Sequence, residues 1–183
     1  MSDQPDRLMP DRLSLGEYMQ TTVISPVHHW QTADPDPYNR RTVMGYPLPD
    51  WQRGLVWTEA QSIRLIESLW LGMNIGTFTV NYSPSYSGRF DRILIDGQQR
   101  MWALEQYLSN TFPVFGYRWS EVTEVDRRSF TLSRHFGSYI TKSDDEAYLR
   151  SYYDLMNFGG VAHTDDQRAT APSAHTGCVG IEI

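Results

Sequence analysis

The sequence predicts an α+β fold in which a small sheet packs against several helices. Three observations predict it. Residues 77–82, Thr-Phe-Thr-Val-Asn-Tyr, alternate with period two, and residues 90–95, Phe-Asp-Arg-Ile-Leu-Ile, follow as a second β-rich run beyond a Ser/Pro/Gly turn. Around them lie segments whose apolar residues recur three or four apart, several of them opening on a Ser/Thr-x-x-Gln/Glu pattern. A chain of 183 residues with abundant Trp and Tyr suits one domain with its own core.

Taken in order, residues 1–45 are rich in Pro, Asp and Thr and read as a partly irregular N-terminal segment. Within it, residues 13–19 suit a short helix, and Asp34-Pro35-Asp36-Pro37-Tyr38 is a turn. Residues 47–53 read as an extended entry segment, because a residue before proline avoids the helical region. Thr58-Glu59-Ala60-Gln61 is a capping box that opens a helix bearing Ile63, Ile66 and Trp70, with Gly72 as its stop. The run 77–82 reads as a half-buried strand and 90–95 as its antiparallel partner. A helix after Gly97 turns Met101, Leu104 and Leu108 inward. Residues 112–115 suit a short edge strand, since Pro113 cannot donate to a ladder. Residues 126–136 read as helical. Ser143-Asp144-Asp145-Glu146 caps a further helix through Tyr148, Tyr152 and Leu155 that stops at Asn157-Phe158-Gly159-Gly160. Thr164-Asp165-Asp166-Gln167 is another capping box, and residues 170–183 read as a flexible tail. The division expected is 1–45, 46–169 as the domain proper, and 170–183.

Composition narrows the function. No apolar run reaches the length of a membrane span, and the first residues lack a basic and then apolar leader. The lone Cys178 has no partner for an internal disulfide, which points to a reducing, cytoplasmic setting. Cys178 has no His or Asp framing, and His28 and His29 lack the partners of a zinc motif, so no metal-ligating residues are assigned. The net charge of −6 disfavours a general nucleic-acid coat, whose affinity comes from neutralised phosphates. It leaves room for a local basic pocket.

Candidate chemistry gathers at Ile95-Asp96-Gly97-Gln98-Gln99-Arg100, where an apolar strand runs into a helix. Unpaired N–H groups and the helix dipole favour an anion at such a junction, and Arg100 adds a forked donor. The same letters also describe a capped helix, with Asp96 as N-cap and Gln99 reaching back. Gln52 and Arg53, just ahead of another helix start, could bring charge to the same anion. Asn157, ahead of Gly159-Gly160, is either a helix C-cap or a ligand group.

The order Pro49-x-Trp51-Gln52-Arg53-x-x-Val56-Trp57, then Leu65-Ile66-Glu67-Ser68-Leu69, then Ile95 to Arg100, then Leu155-Met156-Asn157-Phe158-Gly159-Gly160 resembles the N-terminal domain of modification-dependent restriction proteins of the GmrSD kind. The resemblance spans roughly residues 45–170. It implies a ParB/sulfiredoxin-like fold, a small mixed sheet packed against several helices. It also implies a nucleoside triphosphate, with Mg²⁺, bound at the Asp-Gly-Gln-Gln-Arg segment. Carried over, Asp96, Gly97, Gln98, Gln99 and Arg100 would line the phosphate pocket, Gln52 and Arg53 would close it from upstream, and Asn157 would make a metal or phosphate contact; for hydrolysis, Asp96 or Gln99 could position water. Restriction members continue into a His-Asn-His-type nuclease, and residues 101–183 carry no such motif. Stand-alone relatives resemble phage-encoded proteins.

Three functions therefore stand open. The first is a nucleoside triphosphate-binding, and further an NTP-hydrolysing, module that could serve a nuclease subunit. The second is a DNA-nicking enzyme, which the acidic charge disfavours. The third is a phage interaction protein that inhibits a host defence system. An Asp at a phosphate site is electrostatically awkward. Either Mg²⁺ bridges Asp96 or Asn157 to phosphate oxygens, or Asp96 turns away to cap its helix or orient Arg100.

Overall fold

Short strands and five helices alternate through residues 17–19 and 21–158, the part of the chain that the computed structural model describes. In order they are β1 (Glu17–Met19), α1 (Ile24–Thr32), β2 (Thr42–Val43), β3 (Tyr46–Pro47), α2 (Glu59–Trp70), β4 (Thr77–Asn81), β5 (Ile93–Asp96), α3 (Gln98–Leu108), a 3₁₀ turn at Trp119–Glu121, α4 (Glu124–Ser133), β6 (Gly137–Thr141) and α5 (Glu146–Phe158). The class is α+β, as the sequence predicts.

The main sheet runs β1-β6-β4-β5, and β2 and β3 form a separate small hairpin. β4 is antiparallel to β5, with Val80 opposite Leu94, and parallel to β6, with Val80 opposite Ile140. The sheet is therefore mixed. A parallel pair needs a long crossover, and the chain between β5 and β6, which holds α3 and α4, provides it.

Both faces are covered. On one, Phe78, Val80 and Leu94 join Ile66 and Leu69 of α2, Met101, Leu104 and Leu108 of α3, and Phe130 of α4. On the other, Ile93 and Ile95 meet Leu149, Tyr152 and Tyr153 of α5. Alternation along β5 thus serves two cores at once. Asn81 closes the end of the sheet. Its Nδ2 donates to Phe90 and Ser143 carbonyls at 2.7 and 2.9 Å, and its Oδ1 accepts from Thr141 Oγ1 and Ser143 N at 2.9 and 3.0 Å. A fully buried amide is tolerable only with that complete set of partners.

Several elements form as expected. Thr58 and Gln61 make the reciprocal capping box of α2. Gly72, at φ +76°, ends α2 with Gly72 N donating to Leu69 O and Met73 N to Ser68 O, a Schellman stop. β5 pairs with β4 as foreseen. The Asp34–Tyr38 turn is held by Asp36, whose carboxylate grips the Arg40 guanidinium at 2.7 and 3.0 Å. That pairing lowers the Asp36 pKa.

Others differ. Glu17–Met19 is an edge strand on β6 rather than part of a helix. β4 is buried along nearly its whole length rather than half-buried, because on its second face Thr79 lies against Tyr152 of α5 and Asn81 is enclosed by its own hydrogen bonds. Residues 112–115 do not extend as a strand. Val114 and Tyr117 form an isolated bridge around Phe115 and Gly116, both at positive φ, so the chain doubles back in two residues. The helix expected over 126–136 runs Glu124–Ser133 from a Thr123 cap, and Arg134 is already extended. Asp145, not Ser143, caps α5, accepting from Ala147 N and Tyr148 N, while Ser143 Oγ accepts from Asp145 N. The strand β6 and the helix α1 have no counterpart in the sequence expectations. The glycines at 159–160, His163, the capping box at 164–167 and the tail with Cys178 lie outside the described residues.

Candidate functional site

The junction of β5 and α3 faces a strap, residues 53–57, that has no helix or strand of its own. Its backbone polar groups need partners from elsewhere. Glutamines supply them. Gln99, 5 % exposed, donates from Nε2 to Gly54 O at 2.9 Å, and its Oε1 accepts from Val56 N at 3.0 Å and Trp57 N at 3.2 Å. Gln98 donates to Arg53 O at 3.0 Å. Just before the strap, buried Gln52 donates to Leu94 O and Ile95 O at 2.6 and 2.7 Å, pinning the entry segment beneath β5. An amide carries both donor and acceptor, so one glutamine can serve two N–H groups and a carbonyl at once.

Asp96 does not cap α3. Gly97 occupies the N-cap in the left-handed region, at φ +90°, and no side chain caps the helix. A Cβ at Gly97 would lie 2.6 Å from Phe78 Cβ and 3.0 Å from its Cα. Glycine is thus required twice, for conformation and for the approach of β4. Gln99 likewise makes no capping box, because its amide faces the strap. The capped-helix reading of this segment is corrected on both counts. Asp96 instead pairs with Arg100 Nη2 at 3.0 Å, and Arg100 also donates to Thr77 O. The alternative in which Asp96 turns away to orient Arg100 is the observed arrangement.

Arg53, Trp57, Asp96, Gly97, Gln98, Gln99, Arg100, Tyr153 and Asn157 line one cleft of about 70 Å³. It has room for a phosphate group or a few waters. Two guanidiniums and one carboxylate stand at it, for a local excess of one positive charge in an acidic protein. Arg100 is committed to Asp96, whereas Arg53 makes no ion pair among the described residues. On the far wall Tyr153 is buried, which raises its hydroxyl pKa, while the nearby Arg53 charge and backbone N–H act in the opposite direction. Asn157 donates to Tyr153 O at 2.9 Å one turn back along α5, which leaves its carbonyl oxygen to accept.

Of the residues singled out in sequence, the fold brings Arg53, Asp96, Gly97, Gln98, Gln99, Arg100 and Asn157 together. Gln52 stands apart from the cleft, with its Nε2 turned to β5 and its amide buried. Trp57 and Tyr153 also line the cleft, and neither was singled out. Trp57 was visible in the Val56-Trp57 pair, but nothing in the pattern told it from a core tryptophan. Among the described residues no group of three His, Cys, Asp or Glu could hold a metal ion, and no helix is long and apolar enough to cross a membrane. A cation at the cleft would find one carboxylate, Asp96, so most of its ligands would come from a bound phosphate and water.

Comparison with known proteins agrees with the motif order. No curated protein and no solved structure matches the chain. The family model described as the GmrSD restriction endonuclease, N-terminal domain, matches residues 38–168, which include the strap, the β5–α3 junction and all of α5. The chain belongs to the family of GmrSD restriction endonuclease N-terminal domains.

Proposed function

We propose that the cleft binds the phosphates of a nucleoside triphosphate, so that the protein is the nucleotide-handling module of a restriction-related system. The observation that carries this reading is the start of α3. Its first N–H groups have no side-chain cap, Gly97 exposes the backbone there, and two arginines stand beside it. Unpaired N–H groups and the positive end of the helix dipole favour a phosphate at that point. Membership in the GmrSD N-terminal family is consistent with it.

Each residue has a part in this reading. Arg53, which has no ion pair among the described residues, meets a phosphate oxygen. Arg100 adds a second charge whose direction Asp96 and Thr77 hold constant. Asp96 is the one carboxylate on the cleft that would hold a Mg²⁺ carried by the nucleotide, and that ion would supply charge to offset the phosphates. For hydrolysis Asp96 is the group that orients the attacking water, and the arginines offset charge growing on the transferred phosphoryl oxygens. Gln99 acts at one remove, by holding the strap that carries Arg53.

Thermal shift with ATP, GTP, CTP and UTP, with and without Mg²⁺, tests the reading. A nucleotide-dependent rise in Tm that disappears in Arg53→Ala is expected. Arg100→Ala is the poorer probe, because Arg100 also secures Thr77. A wild-type protein indifferent to all four nucleotides would overturn the proposal, and plasmid nicking in that case would favour the DNA-nicking alternative.

A further inference from the structure

The protein has six tryptophans. Trp30, Trp70, Trp102 and Trp119 pack against the main core, and Trp51 packs against the smaller cluster beside α5. Among the described residues Trp57 belongs to neither cluster, yet it is partly buried and lines the cleft. Its placement is set by the backbone, since Trp57 N is one of the two donors that Gln99 Oε1 holds. Among the described residues neither core cluster includes this large aromatic side chain, and it stands on a segment clamped into one position.

The size of the cleft points the same way. A volume of about 70 Å³ falls well short of the roughly 300 Å³ at which pockets for drug-sized ligands begin. Only the phosphate end of a nucleotide fits inside, so its nucleoside must continue past the lining side chains. Trp57 is an aromatic side chain on that lining, and any nucleobase can stack on an indole, because every base has a π-face. The acidic Asp96 on the same cleft is salt-bridged to Arg100 and offers no flat surface.

We infer that Trp57 is the base-stacking residue of this cleft, a specificity-determining group that selects a phosphate bearing a planar heteroaromatic ring over a bare polyphosphate. The inference rests on the nucleotide reading above. Stacking of this kind tolerates different bases, so Trp57 favours nucleotides as a class.

The test compares calorimetric binding of the four nucleoside triphosphates and of inorganic tripolyphosphate, in Mg²⁺, to wild type, Trp57→Leu and Trp57→Phe. Trp57→Leu is expected to weaken nucleoside triphosphate binding roughly tenfold or more and to leave tripolyphosphate affinity where it was. Trp57→Phe, which keeps a stacking face, restores most of the loss and guards against a variant that merely misfolds. Equal weakening of both ligands in Trp57→Leu, or no weakening of either, overturns the stacking role while the nucleotide reading survives. Failure of wild type to bind any of these ligands overturns both.

Discussion

The starts of α2 and α3 carry nearly the same letters and behave in opposite ways. Thr58-x-x-Gln61 closes on itself: Gln61 N donates to Thr58 Oγ1 at 3.3 Å, and Thr58 N donates to Gln61 Oε1 at 2.8 Å. Asp96-x-x-Gln99 does not. Asp96 turns to Arg100, Gly97 takes the cap position, and Gln99 reaches across the molecule to residues 54–57. The first helix satisfies its own end. The second leaves its first N–H groups without a side-chain cap and spends its polar side chains on a strap more than forty positions away. A helix start that gives up its local cap in this way is open to a ligand, and the strap is what walls the opening.

The contrast yields three stability predictions. The largest effect belongs to Gly97→Ala. A Cβ would strike Phe78 and the backbone would be held at an unfavourable positive φ, so a loss of about 3 kcal/mol in urea unfolding is expected. A loss below about 1 kcal/mol would mean that the junction relaxes freely and that close packing does not dictate the glycine. Next comes Gln99→Leu, which strands Gly54 O, Val56 N and Trp57 N. About 2 kcal/mol is expected, with amide protection lost first at Val56 and Trp57 and retained in α2. Persistent protection of those two amides would show that the strap is held by something other than Gln99. The smallest is Thr58→Ala, about 1 kcal/mol, with fraying confined to the first turn of α2 and no change at the cleft. If Thr58→Ala altered the cleft as much as Gln99→Leu does, the two helix starts would be coupled and the distinction between them would fail.

Much of the fold was legible because its signals are local. The capping box at Thr58, the stop at Gly72, the β4–β5 pair and the inward face of Met101, Leu104 and Leu108 all depend on residues a few positions apart. The strand β6 was not legible. Tyr139-Ile140-Thr141 favour a strand, but the run is short and follows Gly137-Ser138, and it becomes a strand with β1 on one side and β4 on the other. Burial of Thr79 on the second face of β4 likewise depends on Tyr152 of α5, far along the chain. At the cleft, the cluster from Asp96 to Arg100 stood out as a run, and its joining to Arg53 and Asn157 was expected from family resemblance. The separate parts of Gln52, Gln98 and Gln99 were not readable. Side chains with identical donors and acceptors are told apart only by what lies opposite them.

By itself the sequence determined the class of fold and the family, because helix caps, strand periodicity and motif order are written in neighbouring residues. Only the tertiary structure decided that Gly97 rather than Asp96 starts α3, that Gln99 holds a strap, and that Trp57 stands outside the core clusters of the described residues. Each of those facts depends on a distant partner, Phe78, the chain at 54–57 or the core clusters, and a contact between distant positions leaves no mark in the local pattern of either.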